Sequence, residues 1–357
     1  MAEGFHVDIG RAQTPAARFY LDADNLRVEA DRVFARSWQL AGNAASVAAD
    51  GDFFTADVSG EPLLIVNDRG TIRGFYNVCR HRAGPIAHGC GRQRKFTCRY
   101  HGWTYDLEGR LLRAPEMEGV SEFDVASVRL EPVRVECFGP LLFVALDPGL
   151  PSLEEFFPDL AADCAPYRFD GLRFVTSRVY TVKANWKLYI DNYLESYHIP
   201  LVHPGLNREL DYDQYVTVVR KHHSKQYAPI RERAAEHFRA TPDAPPASYM
   251  WLYPNTMFNC YQGLLQTNVV IPRGIDCTEV RFDWFAPVAL ADPATDPHFA
   301  ELLQFSDEVQ DEDGSICEQV QYNVRSRAYR PGPYSPERER GVHHFHSLLG
   351  EALGALA

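Results

Sequence analysis

Two groups of residues carry the chemistry that this sequence can be expected to perform. The first group consists of Cys79 and His81, followed further along by Cys98 and His101. The second is a run of acidic and histidine residues between positions 191 and 203. Thiolates with imidazoles suit iron–sulfur or zinc chemistry, whereas imidazoles with a carboxylate suit a catalytic iron. The sequence therefore predicts one site that transfers single electrons and a second site that holds an iron able to react with oxygen.

The first group could hold either a [2Fe–2S] cluster or a zinc ion. Two cysteines on one iron and two histidines on the other is the Rieske arrangement, in which imidazoles raise the cluster potential. The same four residues could also bind a tetrahedral zinc. However, each half of the pattern holds one cysteine and one histidine, and Gly84-Pro85 and Gly102-Trp103 follow as tight loops. Zinc fingers usually pair cysteine with cysteine, so the pattern favours the cluster.

The second group can be interpreted by helical spacing. Asp191, Glu195 and His198 are four and three residues apart, so a continuous helix would place them on one face. The prolines that follow would end or kink this helix and turn His203 back toward His198. Two imidazoles and one carboxylate on one side of an iron leave positions open for oxygen and substrate.

The carboxylate of such a site must come from a distant part of the chain. Our candidate is Asp313, which lies in an acidic segment at 310–321. An acidic run is also typical of a solvated helix start, where the helix dipole favours negative charge. The need of the two histidines for a carboxylate partner favours Asp313 as a ligand.

Aromatic residues in two later segments could line a substrate cavity. Aromatic faces attract a trimethylammonium group through cation–π interactions, and they would also accommodate an aromatic substrate. Alternatively, strands of this composition bury their aromatic side chains in the core of a sheet. The candidates are Trp251, Tyr253, Phe258, Tyr261, Phe282 and Trp284.

Composition indicates a cytoplasmic enzyme with no membrane or nucleic-acid partner. The 357 residues, 45% of them hydrophobic, suffice for two domains. The net charge of −12 disfavours nucleic acid and anionic membranes. No long apolar run or secretory leader is present, and eight unevenly spaced cysteines predict free thiols. No Gly-x-Gly-x-x-Gly stretch follows a strand, so NAD(P)H would act only through a separate reductase.

The pattern along the chain predicts three regions. Residues 22–37 have helical spacing with an apolar stripe that includes Val33 and Phe34. Short strands separated by turn residues follow, and the C-terminal part mixes strands and helices. A loop is predicted from Pro242 to Pro246, over the second site. The predicted regions are a helical lead-in at 1–37, a strand-rich domain at 38–147 and a larger domain at 148–357.

These features resemble the large (alpha) subunit of Rieske non-haem iron oxygenases over nearly the whole chain. Segments 76–82 and 98–105 are similar to the cluster loops of that family, and 185–204 is similar to its catalytic segment. The Glu-x-Tyr-His form that ends at His198 resembles the branch that oxidises choline, carnitine and betaines. Asn192 lies one residue closer to His198 than in classical ring dioxygenases, which also points away from them.

The resemblance implies an α+β fold. A strand-rich Rieske domain at 38–147 would be joined to a catalytic domain at 148–357, in which helices surround an antiparallel sheet in a helix-grip arrangement. It also implies two cofactors, a Rieske [2Fe–2S] cluster and a mononuclear Fe(II). The implied cluster ligands are Cys79, His81, Cys98 and His101, and the implied iron ligands are His198, His203 and Asp313.

The resemblance further implies catalytic roles for Glu195, Asp191 and Asn192. Glu195 would bridge His198 to His101 or His81 of a neighbouring subunit, within a closed trimer or a multiple of three. A flavin- or ferredoxin-type reductase would supply the electrons.

The expected reaction is O2-dependent hydroxylation or N-demethylation of a quaternary ammonium compound or related amine. The alternative is an aromatic-ring dioxygenase or O-demethylase with the same metal sites. A simple Rieske electron carrier would be much shorter and would lack His198 and His203, so it is excluded.

Overall fold

The computed structural model describes residues 6–231, 245–261, 263–287 and 296–354, without the side chain at 298. It contains two compact units. The small unit is Ala35–Leu153, and the large unit is Met1–Phe34 together with Glu154–Ala357. Most of the predicted loop from Pro242 to Pro246 lies outside the described residues. No helix within the described ranges is both long enough and apolar enough to cross a membrane.

The small unit consists mainly of antiparallel strands. A seven-stranded sheet has the order β1-β10-β9-β4-β3-β2-β5, and β6-β7-β8 form a three-stranded sheet. The strands are β1 Trp38–Asn43, β2 Asp52–Val58, β3 Glu61–Asp68, β4 Thr71–Tyr76, β5 Cys90–Arg92, β6 Phe96–Thr97, β7 Thr104–Tyr105, β8 Leu111–Arg113, β9 Pro132–Phe138 and β10 Leu141–Ala145.

Strand β3 shows how this unit forms its core. Leu64 and Val66 pack in one apolar cluster, whereas Leu63 and Ile65 pack in another. Successive side chains of a strand point to opposite faces, so both faces of β3 are covered. The cluster around Leu64 also contains the two cysteines of the predicted metal site, so the core of the unit supports that site directly.

The large unit is built on a second antiparallel sheet. Its seven strands follow the order β11-β17-β16-β15-β14-β13-β12. They are β11 Leu172–Val182, β12 Val216–Val219, β13 His223–Ala228, β14 Ala247–Leu252, β15 Thr256–Tyr261, β16 Leu264–Gly274 and β17 Cys277–Pro287. The α-helices in the described residues are α1 Arg18–Leu21, α2 Asp24–Glu29, α3 Leu153–Phe156, α4 Leu160–Cys164, α5 Trp186–Tyr193, α6 Ile199–Val202, α7 Pro204–Glu209, α8 Pro297–Asn323 and α9 Arg340–Ala352. The predicted α+β class is confirmed.

Asn185 anchors the start of α5 to three other parts of the large unit. Its side-chain oxygen accepts the N–H of Lys187 at 3.1 Å and so caps the helix. Its side-chain nitrogen donates to the carbonyls of Tyr20 (3.1 Å) and Ile275 (3.0 Å). Its own N–H donates to Gln321 Oε1 at 2.9 Å. The position of α5 is therefore fixed from several directions.

The N-terminal segment adds a buried ion pair that its predicted apolar stripe did not include. Glu29 and Lys187 are both fully buried and in contact with each other. Trp186 Nε1 also donates to Glu29 Oε2 at 2.7 Å. Burial lowers the pKa of Lys187, and the negative charge of Glu29 opposes that effect. Because a buried charge is costly without its partner, the pair couples α2 tightly to α5.

Candidate active site and cluster site

Cys79 and Cys98 begin two loops with the same backbone pattern. The N–H of Ala83 donates to the Cys79 carbonyl at 3.0 Å, and the N–H of Gly102 donates to the Cys98 carbonyl at 2.9 Å. Both closing residues have positive φ, 54° at Ala83 and 75° at Gly102. Both cysteines are buried and form no disulfide. The loops therefore present two thiols inside the small unit.

The two thiols lie in an environment suited to a metal. Burial raises the pKa of the Cys98 thiol, and the nearby Cys79 raises it further. The N–H groups of Tyr100 and His101 oppose this rise by hydrogen bonding to the sulfur. Adjacent buried thiols can both ionise when a cation neutralises them.

His81 and His101 bring two imidazoles together beside these loops. Their ring centroids are 4.6 Å apart with the planes at 70°. His81 also stacks on Trp103, at 5.0 Å and 8°. The Nδ1 atom of His81 is buried and has no hydrogen-bond partner. Since buried polar atoms normally have a partner, this nitrogen is free to bind a metal.

Gly84 allows the two loops to approach each other. A Cβ atom at this position would lie 2.8 Å from the Cys98 sulfur and 3.2 Å from the Cβ of Tyr100. Any side chain here would push the loops apart. This contact gives a physical reason for the glycine in the first loop.

Tyr105 lies beside Cys79, although the sequence pattern did not single it out. Its phenol oxygen is 3.3 Å from Cys79 Sγ and accepts the N–H of Arg80 at 3.1 Å. Since the backbone N–H donates to the phenol oxygen, the phenol hydrogen can point at the sulfur. Burial raises the pKa of Tyr105, which keeps it protonated as a donor. Hydrogen bonds of this kind tune the potential of a thiolate-bound cluster.

The segment after α5 is not the continuous helix that the spacing predicted. Helix α5 ends at Tyr193, and Glu195 lies outside any helix. Its carboxylate accepts the N–H of Tyr197 and, at 3.1 Å, that of His198. A side chain that bonds the backbone just after it competes with the helix, so the chain turns here. Pro200 then falls in the first turn of α6, where proline is tolerated, and does not end α5.

His198, His203 and Asp313 nevertheless converge in the structure. One ligand atom from each lies within 4.8 Å of the others. Asp313 Oδ1 is 2.9 Å from His203 Nε2 and 3.7 Å from His198 Nε2. Two imidazoles and a carboxylate match the composition of an iron site that leaves positions open for oxygen and substrate. We call these three residues the donor set.

The Nδ1 atom of each imidazole is held by a further carboxylate. Glu195 Oε1 lies 2.6 Å from His198 Nδ1, and Glu312 Oε2 lies 2.7 Å from His203 Nδ1. A carboxylate at Nδ1 holds the proton there and leaves the Nε2 lone pair for a metal. Burial lowers the pKa of His203, but Asp313 and Glu312 outweigh burial and raise it. The negative charges of Asp313 and Glu312 therefore favour a positive charge beside His203.

The long helix α8 supplies both Asp313 and Glu312. The acidic segment lies within this helix and not at its start. The α8 side chains that line the cavity beside the donor set include Leu302, Ser306 and Val309, and the series ends at Asp313. Their spacing of three or four residues places them on one helix face. The phase of α8 thus turns Asp313 toward the two histidines.

Asn192 and Asp191 occupy different places, although both were predicted to be catalytic. Asn192 lines the cavity, and its side-chain nitrogen donates to Asp313 Oδ1. Asp191 accepts the Tyr20 hydroxyl at 2.8 Å and lies 2.9 Å from His346 Nε2. Asp191 therefore connects α5 to α1 and α9, away from the donor set.

A cavity of about 110 Å³ lies beside the donor set. Of the aromatic residues proposed for its wall, Tyr261, Phe282 and Trp284 line it. The other described aromatic residues of the wall are Tyr189, Tyr193, Tyr215, Tyr249 and Phe305.

Trp251, Tyr253 and Phe258 were predicted to line the cavity, but the structure places them elsewhere. Trp251 packs 5.4 Å from the ring of Phe345 on α9, and Tyr253 lies 6.0 Å from Trp251 just beyond β14. Phe258 points to the face of β15 opposite the one that carries Tyr261. Its ring packs 6.0 Å from the ring of Phe169. These three side chains form core contacts.

Comparisons with known proteins agree with both sites. Residues 37–124 match the family described as the Rieske [2Fe-2S] domain, and residues 169–355 match the ring hydroxylating alpha subunit (catalytic domain). Chloroplastic choline monooxygenase of Arabidopsis thaliana is 34% identical over 356 residues, covering 96% of this chain and 83% of that protein. The chain belongs to the Rieske non-haem iron oxygenase family.

Two further comparisons cover almost the entire length of this Rieske oxygenase. The carnitine monooxygenase oxygenase subunit of Escherichia coli (strain K12) is 31% identical over 370 residues, covering 98% of this chain and 96% of that protein. The solved structure of a quaternary ammonium Rieske monooxygenase superposes with a TM-score of 0.88 at 25% identity. That superposition covers 99% of this chain and 98% of the other.

The cofactors of this Rieske oxygenase are a Rieske [2Fe–2S] cluster and a mononuclear iron, as predicted from the sequence. The side chains fit both groups. The small unit brings together two buried thiols and two imidazoles, one with an unpartnered buried Nδ1, which is the ligand chemistry of a Rieske cluster. The donor set offers nitrogen and oxygen atoms that could hold the iron.

Proposed function

We propose that this protein is the oxygenase component of a multi-component monooxygenase that hydroxylates or N-demethylates a quaternary ammonium compound or related amine. The observation that carries the proposal is an aromatic, largely uncharged cavity directly beside the donor set. Aromatic faces bind alkylammonium groups well. Relatives named for choline and carnitine, each more than 30% identical to this chain, support the same substrate class.

We assign the cluster to Cys79, His81, Cys98 and His101, and the iron to the donor set. When bound, the cluster supplies single electrons and the iron supplies oxygen activation. In the overall reaction one oxygen atom enters a C–H bond of the substrate and the other leaves as water, with two electrons and two protons consumed. Hydroxylation of an N-methyl group gives a hydroxymethyl group, which leaves as formaldehyde and a proton. Hydroxylation of the carbon of a primary alcohol gives a hydrated aldehyde, which loses water to form the aldehyde.

The surrounding side chains orient the donor set and keep water away from the substrate. Glu195 and Glu312 keep the Nδ1 protons of the two imidazoles in place, and Asn192 donates to the carboxylate of Asp313. The cavity wall beyond these residues is mainly aromatic or aliphatic, which keeps bulk water away from the reacting C–H bond.

We further propose that electrons arrive from a separate reductase of the flavin or ferredoxin type. They would cross from His101 or His81 of one subunit to Glu195 of its neighbour in a closed trimer. Inter-subunit electron transfer described for the quaternary ammonium Rieske monooxygenase supports this arrangement. A cytoplasmic location remains a prediction.

A substrate panel tests the proposed function. The purified protein, loaded with iron and cluster, would be supplied with a surrogate reductase, NADH and oxygen. Mass spectrometry would follow choline, carnitine and betaines alongside simple aromatic acids. We expect an aldehyde or a demethylated product from at least one quaternary amine. Turnover of the aromatic acids alone would instead support the aromatic-ring dioxygenase or O-demethylase alternative.

Replacing Glu312 by glutamine should weaken iron binding. Glu312 holds His203 at Nδ1, and loss of such an outer carboxylate typically costs roughly 10- to 100-fold in metal affinity or activity. Iron affinity would be measured by competition with a chelator, with cluster absorbance as the internal control. Glu308→Gln, an exposed position of the same helix, is the matched variant. Equal iron affinity in both variants would show that Glu312 does not support the iron site.

A further inference from the structure

The segment that carries the cluster ligands has a charge opposite to that of the whole protein. Between Asp68 and Asp106 the sequence contains eight lysine or arginine residues and no aspartate or glutamate, although the net charge of the chain is −12. A net charge of this sign repels other acidic proteins on average. The cluster segment is therefore the part of the small unit that would attract an acidic partner.

Half of these positive charges have no carboxylate as a partner. Four of the eight form ion pairs, namely Arg69, Arg73, Arg92 and Arg94. The other four are exposed and form no ion pair with any residue that the structure describes, namely Arg80, Arg82, Lys95 and Arg99. Arg80 and Arg82 stand on either side of His81, and Arg99 follows Cys98. The unpaired positive charges therefore flank the assigned cluster ligands.

An open cavity of about 840 Å³ lies beside the first of these loops, and all the residues that line it belong to the small unit. Its wall includes Arg80, His81 and Trp103, the ring on which His81 stacks. Arg73 of β4 and Arg129 also line it, and Arg129 is exposed and forms no ion pair within the described ranges. A protein seated on this cavity would contact an assigned cluster ligand directly.

The other charges of the cavity wall leave it positive overall. Glu108 lies 3.0 Å from Arg110, so its charge is already balanced, whereas Glu131 is exposed. Apolar side chains that include Met117 and Phe123 also line the cavity. Interfaces between electron-transfer proteins are small and transient, and complementary charges determine how fast the partners meet. The cavity offers both a positive and an apolar surface at a cluster ligand.

We propose that this cavity is the docking site of an acidic electron-carrier protein, whose carboxylates bind Arg80 and Arg129 and whose electron enters through His81. The inference rests on the proposed function, because it names the surface that receives the reductase. One electron passes from the reduced carrier to the oxidised cluster, and no bond is formed or broken. His101 is exposed and does not line the cavity, so it stays available to a neighbouring subunit.

Binding of a carrier protein tests this site without turnover. The probe is an oxidised plant-type [2Fe–2S] ferredoxin, which is acidic, titrated into the holoenzyme by isothermal calorimetry. An ionic strength of about 0.1 M largely screens charges more than about 10 Å apart. Arg80→Glu and Arg129→Glu should each weaken binding by roughly tenfold or more, because each turns an attraction into a repulsion.

Lys95→Glu is the matched control for these two variants. Lys95 belongs to the same basic segment and its reversal changes the net charge equally, but it does not line the cavity. Its effect on ferredoxin binding should be clearly smaller. Equal losses in all three variants would show that only the net charge matters, and no loss in any of them would show that ferredoxin binds elsewhere. Either result would overturn the proposal.

A variant with the opposite charge change guards against loss of binding through misfolding. Glu131→Gln removes a negative charge from the cavity wall and should tighten ferredoxin binding, whereas unchanged or weaker binding would contradict the site. Stopped-flow absorbance would follow reduction of the cluster by reduced ferredoxin. Its second-order rate constant should fall steeply as the ionic strength rises from about 0.01 M to about 0.1 M. A rate independent of salt, or no reduction at all, would overturn a site that recognises acidic charge.

Two further measurements separate this inference from the alternatives. Size-exclusion chromatography would report the number of subunits, and a change in Arg80→Glu or Arg129→Glu would assign the cavity to a subunit interface and overturn the docking site. Enzyme reduced with dithionite and freed of the excess needs no carrier for a single turnover with oxygen and a quaternary amine. If it forms product while ferredoxin ignores the charge changes, the proposed function stands and the docking site fails. If the wild-type enzyme forms no product from any quaternary amine, the proposed function fails whatever the binding data show.

Discussion

Replacement of Asp313 by alanine is expected to remove the mononuclear iron and abolish substrate oxidation while the cluster spectrum is preserved. Asp313 is the carboxylate of the donor set, and its Oδ1 atom faces both imidazoles. Without it, only two neutral nitrogens remain. The loss of iron affinity should exceed the roughly 10- to 100-fold loss that is typical for an outer partner of a ligand.

Iron content per subunit, visible absorbance and product formation would be measured on the same preparation. The matched control is Asp311→Ala, which removes an exposed carboxylate from the same helix. It should retain iron and activity, because its side chain does not belong to the donor set. If Asp313→Ala retained iron and turnover, the third ligand would have to be another carboxylate, with the adjacent Glu312 the first to examine.

The parts of the site that could be predicted from the sequence depend on short-range spacing and on uncommon residue types. Cysteine and histidine at Cys79, His81, Cys98 and His101 restrict the chemistry strongly, because few ligand sets combine them in this way. The pair His198 and His203 is similarly informative. Within each half of the cluster pattern, and within the histidine pair, the residues lie close enough in the chain for local geometry to bring them together.

The break after α5 could not be predicted by helical periodicity. The spacing of Asp191, Glu195 and His198 fits one helix face, yet the Glu195 carboxylate accepts the backbone N–H groups of residues 197 and 198. A side-chain bond to the backbone competes with the helix locally and leaves no periodic signal. The helix therefore ends, and Asp191 packs against α1 and α9 instead of the donor set.

Contacts between distant segments set the second limit. Glu312 is 109 residues from His203, and the rotation of α8 decides that Asp313 faces the two histidines while Glu312 reaches Nδ1. The need of two histidines for a carboxylate indicated Asp313, but nothing in the acidic segment indicated the contact of Glu312. The aromatic residues of β14 also depend on contacts with a distant segment. Alternation places Trp251 on the same face of β14 as Tyr249, but Phe345 of α9 covers it. Which part of that face remains open depends on packing that the segment itself does not encode.

Glutamine at position 195 is expected to preserve both metals but to slow turnover sharply. Glu195 Oε1 lies 2.6 Å from His198 Nδ1, whereas Oε2 accepts the N–H groups of Tyr197 and His198. A glutamine has one acceptor oxygen, and with that oxygen toward Nδ1 the imidazole is still held, although the two backbone N–H groups lose their acceptor. What disappears is the negative charge and the second acceptor needed to bridge to the cluster histidine of a neighbouring subunit. Turnover should fall by at least roughly 10- to 100-fold even when excess iron keeps the site filled, as it must also be kept filled in Glu312→Gln.

A single-turnover experiment separates this bridging role from simple support of a ligand. The reduced enzyme would be mixed with oxygen and substrate, and reoxidation of the cluster would be followed by its absorbance. Glu312→Gln serves as the matched control, because Glu312 holds the other imidazole in the same manner. Once saturated with iron, the Glu312 variant should reoxidise its cluster at nearly the normal rate, whereas the Glu195 variant should remain reduced. Equal rates in the two variants would mean that Glu195 only positions His198, and electrons would then have to reach the iron by another route.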